Sequence, residues 1–183
     1  FKIINKINQY AKKHKNSKKS KIVLCVPNVL IDFFSKRLKK KTIFIGAQNC
    51  HHAEGYGPFT GAVSAFMLKK MGAEYIILGH SENREEGETP KLIKKKVVSA
   101  LNQKLNIILC VGEKFIDKKK GMTFSIIKNQ IKSVLGKKIN TNKIIFAYEP
   151  VWSIGTNKIP KMKELINTIK FIKKEFKKIF KSK

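Results

Sequence analysis

Five short runs of almost unbroken apolar residues, at 21–26, 42–48, 75–79, 106–112 and 143–149, recur along this chain with longer segments of helical period between them. A strand with one wet face alternates apolar and polar residues, whereas a run that is apolar nearly throughout is covered on both faces, as in a parallel sheet flanked by helices. Parallel neighbours need a crossover of about a dozen residues or more. The runs begin about 20 to 37 residues apart, room for one helix in each return. The spacing therefore predicts successive βα units.

Helical period is carried by 29–38, 60–71, 90–105 and 122–135, with one helix at 3–13 before the first strand and another at 160–180 after the last. Asn28 is placed to cap the helix that follows Pro27, and Pro90 suits a first helical turn, where its missing N–H costs nothing. Gly72 and Gly136 each follow a helix, as C-terminal caps do. With 183 residues, 42% of them hydrophobic, and no internal linker, we expect a single domain over 1–183.

The formal net charge is +28, enough to suggest a nucleic-acid binder. Yet the only arginines are Arg37 and Arg84, and no aromatic residues interleave with the basic runs to stack bases. Lysine spread over the polar helical faces reads as a solvated surface, with weak non-specific binding at low salt and no specific nucleic-acid partner. No apolar run approaches the roughly 20 residues that span a bilayer, and the basic first residues do not have the pattern of a signal peptide. A cytoplasmic protein without membrane partners is expected. Cys25, Cys50 and Cys110 lack metal-ligand spacing and read as reduced thiols. The neighbours His51 and His52 are expected to point apart in extended chain, and no set of Cys, His and carboxylate completes a metal site. His14 reads as exposed.

Two segments carry chemistry. Gly79-His80-Ser81-Glu82 closes the third run and Tyr148-Glu149-Pro150-Val151-Trp152 the fifth, so each puts a proton-transfer residue at the carboxyl end of a strand, where α/β folds place their sites. Ser81 and Glu82 open a short helix whose N–H groups disfavour a charged imidazole at His80. Pro150 stiffens the exit from the strand, Trp152 is a large anchor, and Ile154-Gly155-Thr156 forms a small tip, which together read as a lid. The glycine-rich segment from His51 to Gly61 reads as a functional loop.

With Gly46-Ala47-Gln48-Asn49, Phe59-Thr60-Gly61, Leu78-Gly79-His80-Ser81-Glu82, Cys110-Val111-Gly112-Glu113 and Ala147-Tyr148-Glu149-Pro150-Val151-Trp152-Ser153-Ile154-Gly155-Thr156 in this order, nearly the whole chain resembles the triosephosphate isomerase family. The resemblance implies a partial (β/α)8 TIM barrel, with five parallel strands corresponding to the family's second to sixth and flanking helices. It implies Glu149 as the carbon base, His80 as the electrophile that moves protons between two oxygens, and Gly155 as a contact to substrate phosphate. Ser81, Glu82, Cys110 and Ile154 would support them, and Cys110 and Glu113 read equally well as a packed thiol and a structural carboxylate. The substrate would be a small phosphorylated triose, with no cofactor and no metal. A homodimer is implied, with Gln48, Thr60 and the loop between His52 and Thr60 at its interface.

The departures from the family are informative. Ala62 and Asn83 stand where an acidic and a basic residue are usual, so an ion pair near the interface is missing at both ends, and Asn157 stands where the lid often has glycine. The family's first strand, with its substrate-contacting Asn and Lys, has no counterpart, nor do the phosphate-binding turns of its last two strands. We therefore expect an internal fragment that is inactive alone. Two alternatives stay open at this point, another phosphosugar barrel and a non-catalytic polyanion-binding protein.

Overall fold

The computed structural model describes residues 2–13, 20–38, 43–135, 139 and 142–181; Gly136 and His14, read above as a cap and an exposed residue, lie outside the described residues. Among the described residues, β1 (Ile22–Val26), β2 (Ile43–Ala47), β3 (Tyr75–Leu78), β4 (Asn106–Val111) and β5 (Ile144–Tyr148) form one parallel sheet in chain order, with β1 and β5 at its edges. The helices are α1 (Lys2–Lys13), α2 (Ile31–Arg37), α3 (Ala65–Lys70), α4 (Ser81–Glu85), α5 (Pro90–Asn102), α6 (Phe115–Lys119), α7 (Thr123–Val134) and α8 (Met162–Lys181).

Helix α5 shows how local sequence sets these elements. Thr89 Oγ1 accepts the Leu92 N–H at 3.2 Å, Pro90 occupies the first turn as expected, and Ile93, Val97 and Ala100 form one buried stripe. That stripe meets Ile107 and Leu109 of β4, while Ile127, Ile131 and Val134 of α7 bury the adjoining side of the same core. Fully burying a side chain of this size contributes about 1.5–3 kcal/mol, so this layer holds β4 in place between its neighbours.

The paired registers put Ile77, Ile108 and Ile145 on the opposite face of the sheet. Here the expectation of two fully covered faces is corrected: Ile77 and Ile108 are half-buried and Ile145 is 51% exposed. The uninterrupted apolar pattern fits both faces, but among the described residues the helices pack mainly on one.

Three local expectations are also revised. Asn28 does not cap a helix; it lies inside a 3-10 turn, Asn28–Leu30, preceded by Pro27, and makes no capping bond. The helix expected at 60–71 begins only at Ala65, because Ser64 caps it through the Met67 N–H while 60–64 stay in the loop. His51 and His52 do not diverge: their ring centroids lie 4.2 Å apart, and Phe59 sits 4.7 Å from His51. Aromatic contact with Phe59 offsets the tendency of consecutive side chains to separate. Gly72 follows α3 at φ +102°, as the sequence led us to expect. No helix among the described residues is long and apolar enough to cross a membrane.

Candidate active site

Strand β3 ends at Leu78, and Gly79 turns the chain at φ +69°, a conformation open to glycine at little cost. The turn delivers His80 to the N-cap of α4, where its Nδ1 accepts the Glu82 N–H at 3.4 Å. An Nδ1 that accepts leaves the ring proton on Nε2. The Glu82 carboxylate lies 3.6 Å from the same Nδ1, on a side chain that is 81% exposed.

Glu149 follows β5, two strands away across β4. Its Oε2 lies 3.2 Å from His80 Nε2, near enough for proton exchange, yet it is buried without a hydrogen-bond partner among the described residues. An ionised carboxylate only accepts, and this oxygen faces the ring nitrogen that carries the histidine proton. Cys110 is buried beside it, and burial, reinforced by the Glu149 carboxylate, pushes the thiol up to about 12. It is a packed neutral thiol at neutral pH, not a nucleophile.

The segment after Glu149 is tied down at its start. Pro150 leads into a 3-10 turn, Val151–Ser153, and buries Trp152, whose Nε1 donates to Glu113 Oε1 at 2.9 Å. The Tyr148 hydroxyl donates to the same carboxylate at 3.2 Å, and Val151 N–H donates to the Glu113 carbonyl at 3.1 Å. Lys118 stands 3.7 Å from the centre of the Trp152 ring and 2.7 Å from Glu164, linking both flanks of this segment to α6. Beyond this anchor the tip is open: Ile154, Gly155 and Thr156 are exposed. Asn157 adopts φ +56°, which explains why a glycine suits this position and why asparagine is tolerated there.

His80, Glu82 and Gln48 line one cleft of about 540 Å³, together with Asn28, Asn49 and Asn83. Ser81, Cys110 and Glu149 converge on the adjoining small gap. Gly155 and Ile154 stand apart on the exposed segment after Trp152, and Thr60 is exposed on the loop after His52. No group of His, Cys, Asp and Glu that could hold a metal occurs among the described residues.

Four residues that hold this site together were passed over in the sequence reading. Asn83, noted above only for a missing ion pair, accepts from Asn49 Nδ2 at 2.7 Å and so ties α4 to the end of β2. Lys96 was counted with the solvated lysines, but it is buried, paired with Glu88 and donating to Asn49 Oδ1 at 3.0 Å. Its spacing was the available signal, because it falls beside Ile93, Val97 and Ala100 on the apolar face. Arg84 donates from Nε to the Gly79 carbonyl at 2.6 Å and from Nη2 to the Cys110 carbonyl at 3.2 Å. An arginine in a chain that otherwise uses lysine marks a site that needs a planar fork of donors. Gln130, which exchanges two hydrogen bonds with the Gly112 backbone, offered no such signal.

Comparison with known proteins adds an independent line. A family model described as triosephosphate isomerase matches residues 2–183. The chain is 45% identical over 152 residues to the triosephosphate isomerase of Aquifex aeolicus, covering 82% of this chain and 61% of that one. It is 40% identical over 139 residues to that of Zygosaccharomyces bailii, covering 75% and 56%. The crystal structure of triosephosphate isomerase from Bartonella henselae is similar with a TM-score of 0.74 at 34% identity, over 82% of this chain and 60% of that chain. The chain thus spans about three fifths of the length of the relatives it matches.

Proposed function

The chain belongs to the triosephosphate isomerase family, and from that premise we propose that it carries the proton-transfer centre of an enzyme interconverting dihydroxyacetone phosphate and D-glyceraldehyde 3-phosphate. The observation that carries this reading is the 3.2 Å approach of His80 Nε2 to Glu149 Oε2 across the carboxyl ends of β3 and β5. A base and a hydrogen-bond donor at that separation can address a carbon and the adjoining oxygens of one small substrate. Family membership favours this reading over another phosphosugar barrel and over non-catalytic polyanion binding.

In the proposed reaction Glu149 removes a proton from the carbon between the hydroxyl and the carbonyl, leaving an enediolate. His80 donates from Nε2 to the developing oxyanion and passes the proton between the two oxygens, and Glu149 returns its proton to the neighbouring carbon. The arrangement needs no cofactor, because no electrons leave the substrate. The lid from Pro150 closes over the intermediate and excludes water, with the Gly155 backbone near the phosphate. Ser81, Glu82, Cys110 and Ile154 shape the surroundings. A second copy of the protein packs against Gln48, Thr60 and the loop between them, whose Tyr56 and Phe59 are exposed aromatics.

In the complete protein, Glu149→Gln should lower turnover by about three orders of magnitude or more while a substrate analogue still binds, since base catalysis and positioning are lost together. His80→Gln should lose less, because an amide still donates a hydrogen bond. Near-normal turnover in Glu149→Gln would remove Glu149 as the base.

A further inference from the structure

Backbone groups of a parallel strand address its two neighbours alternately. At the end of β4, the Glu149 N–H donates to the Val111 carbonyl at 3.0 Å and the Val151 N–H to the Glu113 carbonyl at 3.1 Å, so Val111 and Glu113 face β5. Gly112 between them faces the other way, toward β3. That neighbour has gone: the β3–β4 pairing stops at Leu78 and Leu109, and the chain turns at Gly79 into α4. The polar backbone of Gly112 would be left without a ladder.

A side chain from α7 replaces the missing strand. The Gly112 N–H donates to Gln130 Oε1 at 3.0 Å, and Gln130 Nε2 donates to the Gly112 carbonyl at 2.8 Å. One primary amide thus satisfies both groups, as an adjoining strand residue would. What Gln130 fixes is directly behind Glu149, because a Cβ on Gly112 would run into the Glu149 carbonyl oxygen. The peptide of Glu149 is therefore seated on Gly112, and Gly112 on Gln130.

We propose that Gln130 is a positioning residue for the base, acting through Gly112 to hold the Glu149 backbone where its carboxylate meets His80. It touches neither the reacting atoms nor Glu149 itself. The inference rests on the isomerase reading, in which Glu149 is the base. Misplacing a reacting group by about 1 Å can cost about 100-fold in rate without any change in the groups that bind substrate.

The test is Gln130→Met in the complete protein, which keeps the length of the side chain and removes both bonds. The expected result is a fall in kcat of about 10- to 100-fold with KM within about twofold of the parent, and amide hydrogen exchange at Gly112 and Glu149 faster by about tenfold or more. Should that variant fail to fold, Gln130→Glu keeps an acceptor for the Gly112 N–H and loses the donor to its carbonyl, and a selective loss of kcat is again expected. A folded variant with unchanged kcat, or with faster exchange at Gly112 but not at Glu149, would overturn the proposal. If the parent itself has no isomerase activity above its Glu149→Gln control, the functional reading fails. The exchange rates then still decide whether Gln130 controls the Glu149 backbone.

Discussion

Replacing Glu113 with glutamine should loosen the segment after Glu149 at its root. Glu113 is 1% exposed and its carboxylate accepts two donors, the Trp152 indole N–H at 2.9 Å and the Tyr148 hydroxyl at 3.2 Å. Burial, with the Glu113 carboxylate beside it, pushes the Tyr148 phenol far above its ordinary value, so it stays a donor at any working pH. A glutamine has one acceptor oxygen, which can keep the Trp152 bond, while its NH2 must donate to the Tyr148 hydroxyl with that bond reversed; hydrogen bonds to a charged acceptor contribute about 1.5–3 kcal/mol and neutral ones about 0.5–1.5, so the amide forfeits about 1 kcal/mol per bond. The amide is also cheaper to bury than the carboxylate, which offsets part of this loss and leaves about 1–2 kcal/mol. That corresponds to about a 5- to 30-fold rise in the population with Trp152 detached, and to a Tm lower by about 2–8 °C for a chain of this size. Trp152 is the sole tryptophan, so its emission reports this event alone. We expect a red-shifted emission maximum and stronger acrylamide quenching in Glu113→Gln. Glu113→Leu should be worse, since it strands both donors at about 1–3 kcal/mol each. If both variants are as stable as the parent and their tryptophan is no more accessible, the desolvation cost of the carboxylate outweighs its bonds and the reasoning fails.

Two further outcomes can be measured. Burial pushes Cys25 up to about 11 and Cys50 and Cys110 up to about 12, above the value of 9.0 for an unperturbed thiol. Their contribution to stability is therefore complete below about pH 9 and is lost as pH rises through 11 to 12, at up to about 1.4 kcal/mol per pH unit for each thiol. Urea unfolding between pH 8 and about 10.5 should show this slope, and a variant with all three changed to serine should flatten it; an unchanged slope would remove the thiols as its cause. Separately, deleting Gly55 to Pro58 from the complete protein should yield monomers in sedimentation measurements, because it removes the exposed Tyr56 and draws Phe59 away from His51. A deletion variant that still sediments as a dimer would place the interface elsewhere.

Much of this protein is legible in its sequence, for a definite physical reason. Strand and helix existence depends on residues close in sequence, so the apolar runs predicted all five strands and their parallel sense, and Gly79-His80-Ser81-Glu82 predicted the short helix α4 at His80. The triosephosphate isomerase family was legible in the same way, because its motifs are short and keep their order. Local pattern was silent on α6, and it misplaced the start of α3, where the Ser64 cap prevailed over the apolar period from Thr60.

Tertiary structure alone decided which groups met. His80 and Glu149 lie 69 positions apart and approach only because β3 and β5 flank β4 in a parallel register. Lys96 counted as surface until α5 turned it toward Glu88 and Asn49, and Asn83 looked like the remnant of a lost ion pair until Asn49 was found beside it. Gln130 carries no mark in the sequence at all. Its importance arises because β3 ends before β4, leaving Gly112 without a neighbouring strand, and α7 happens to present an amide at that point. The sequence by itself determined the elements and the chemistry they can bear, since those follow from near neighbours and side-chain type. Which carboxylate meets His80, which lysine is buried and which backbone is held depends on long-range register and packing, and only the folded sheet decided them.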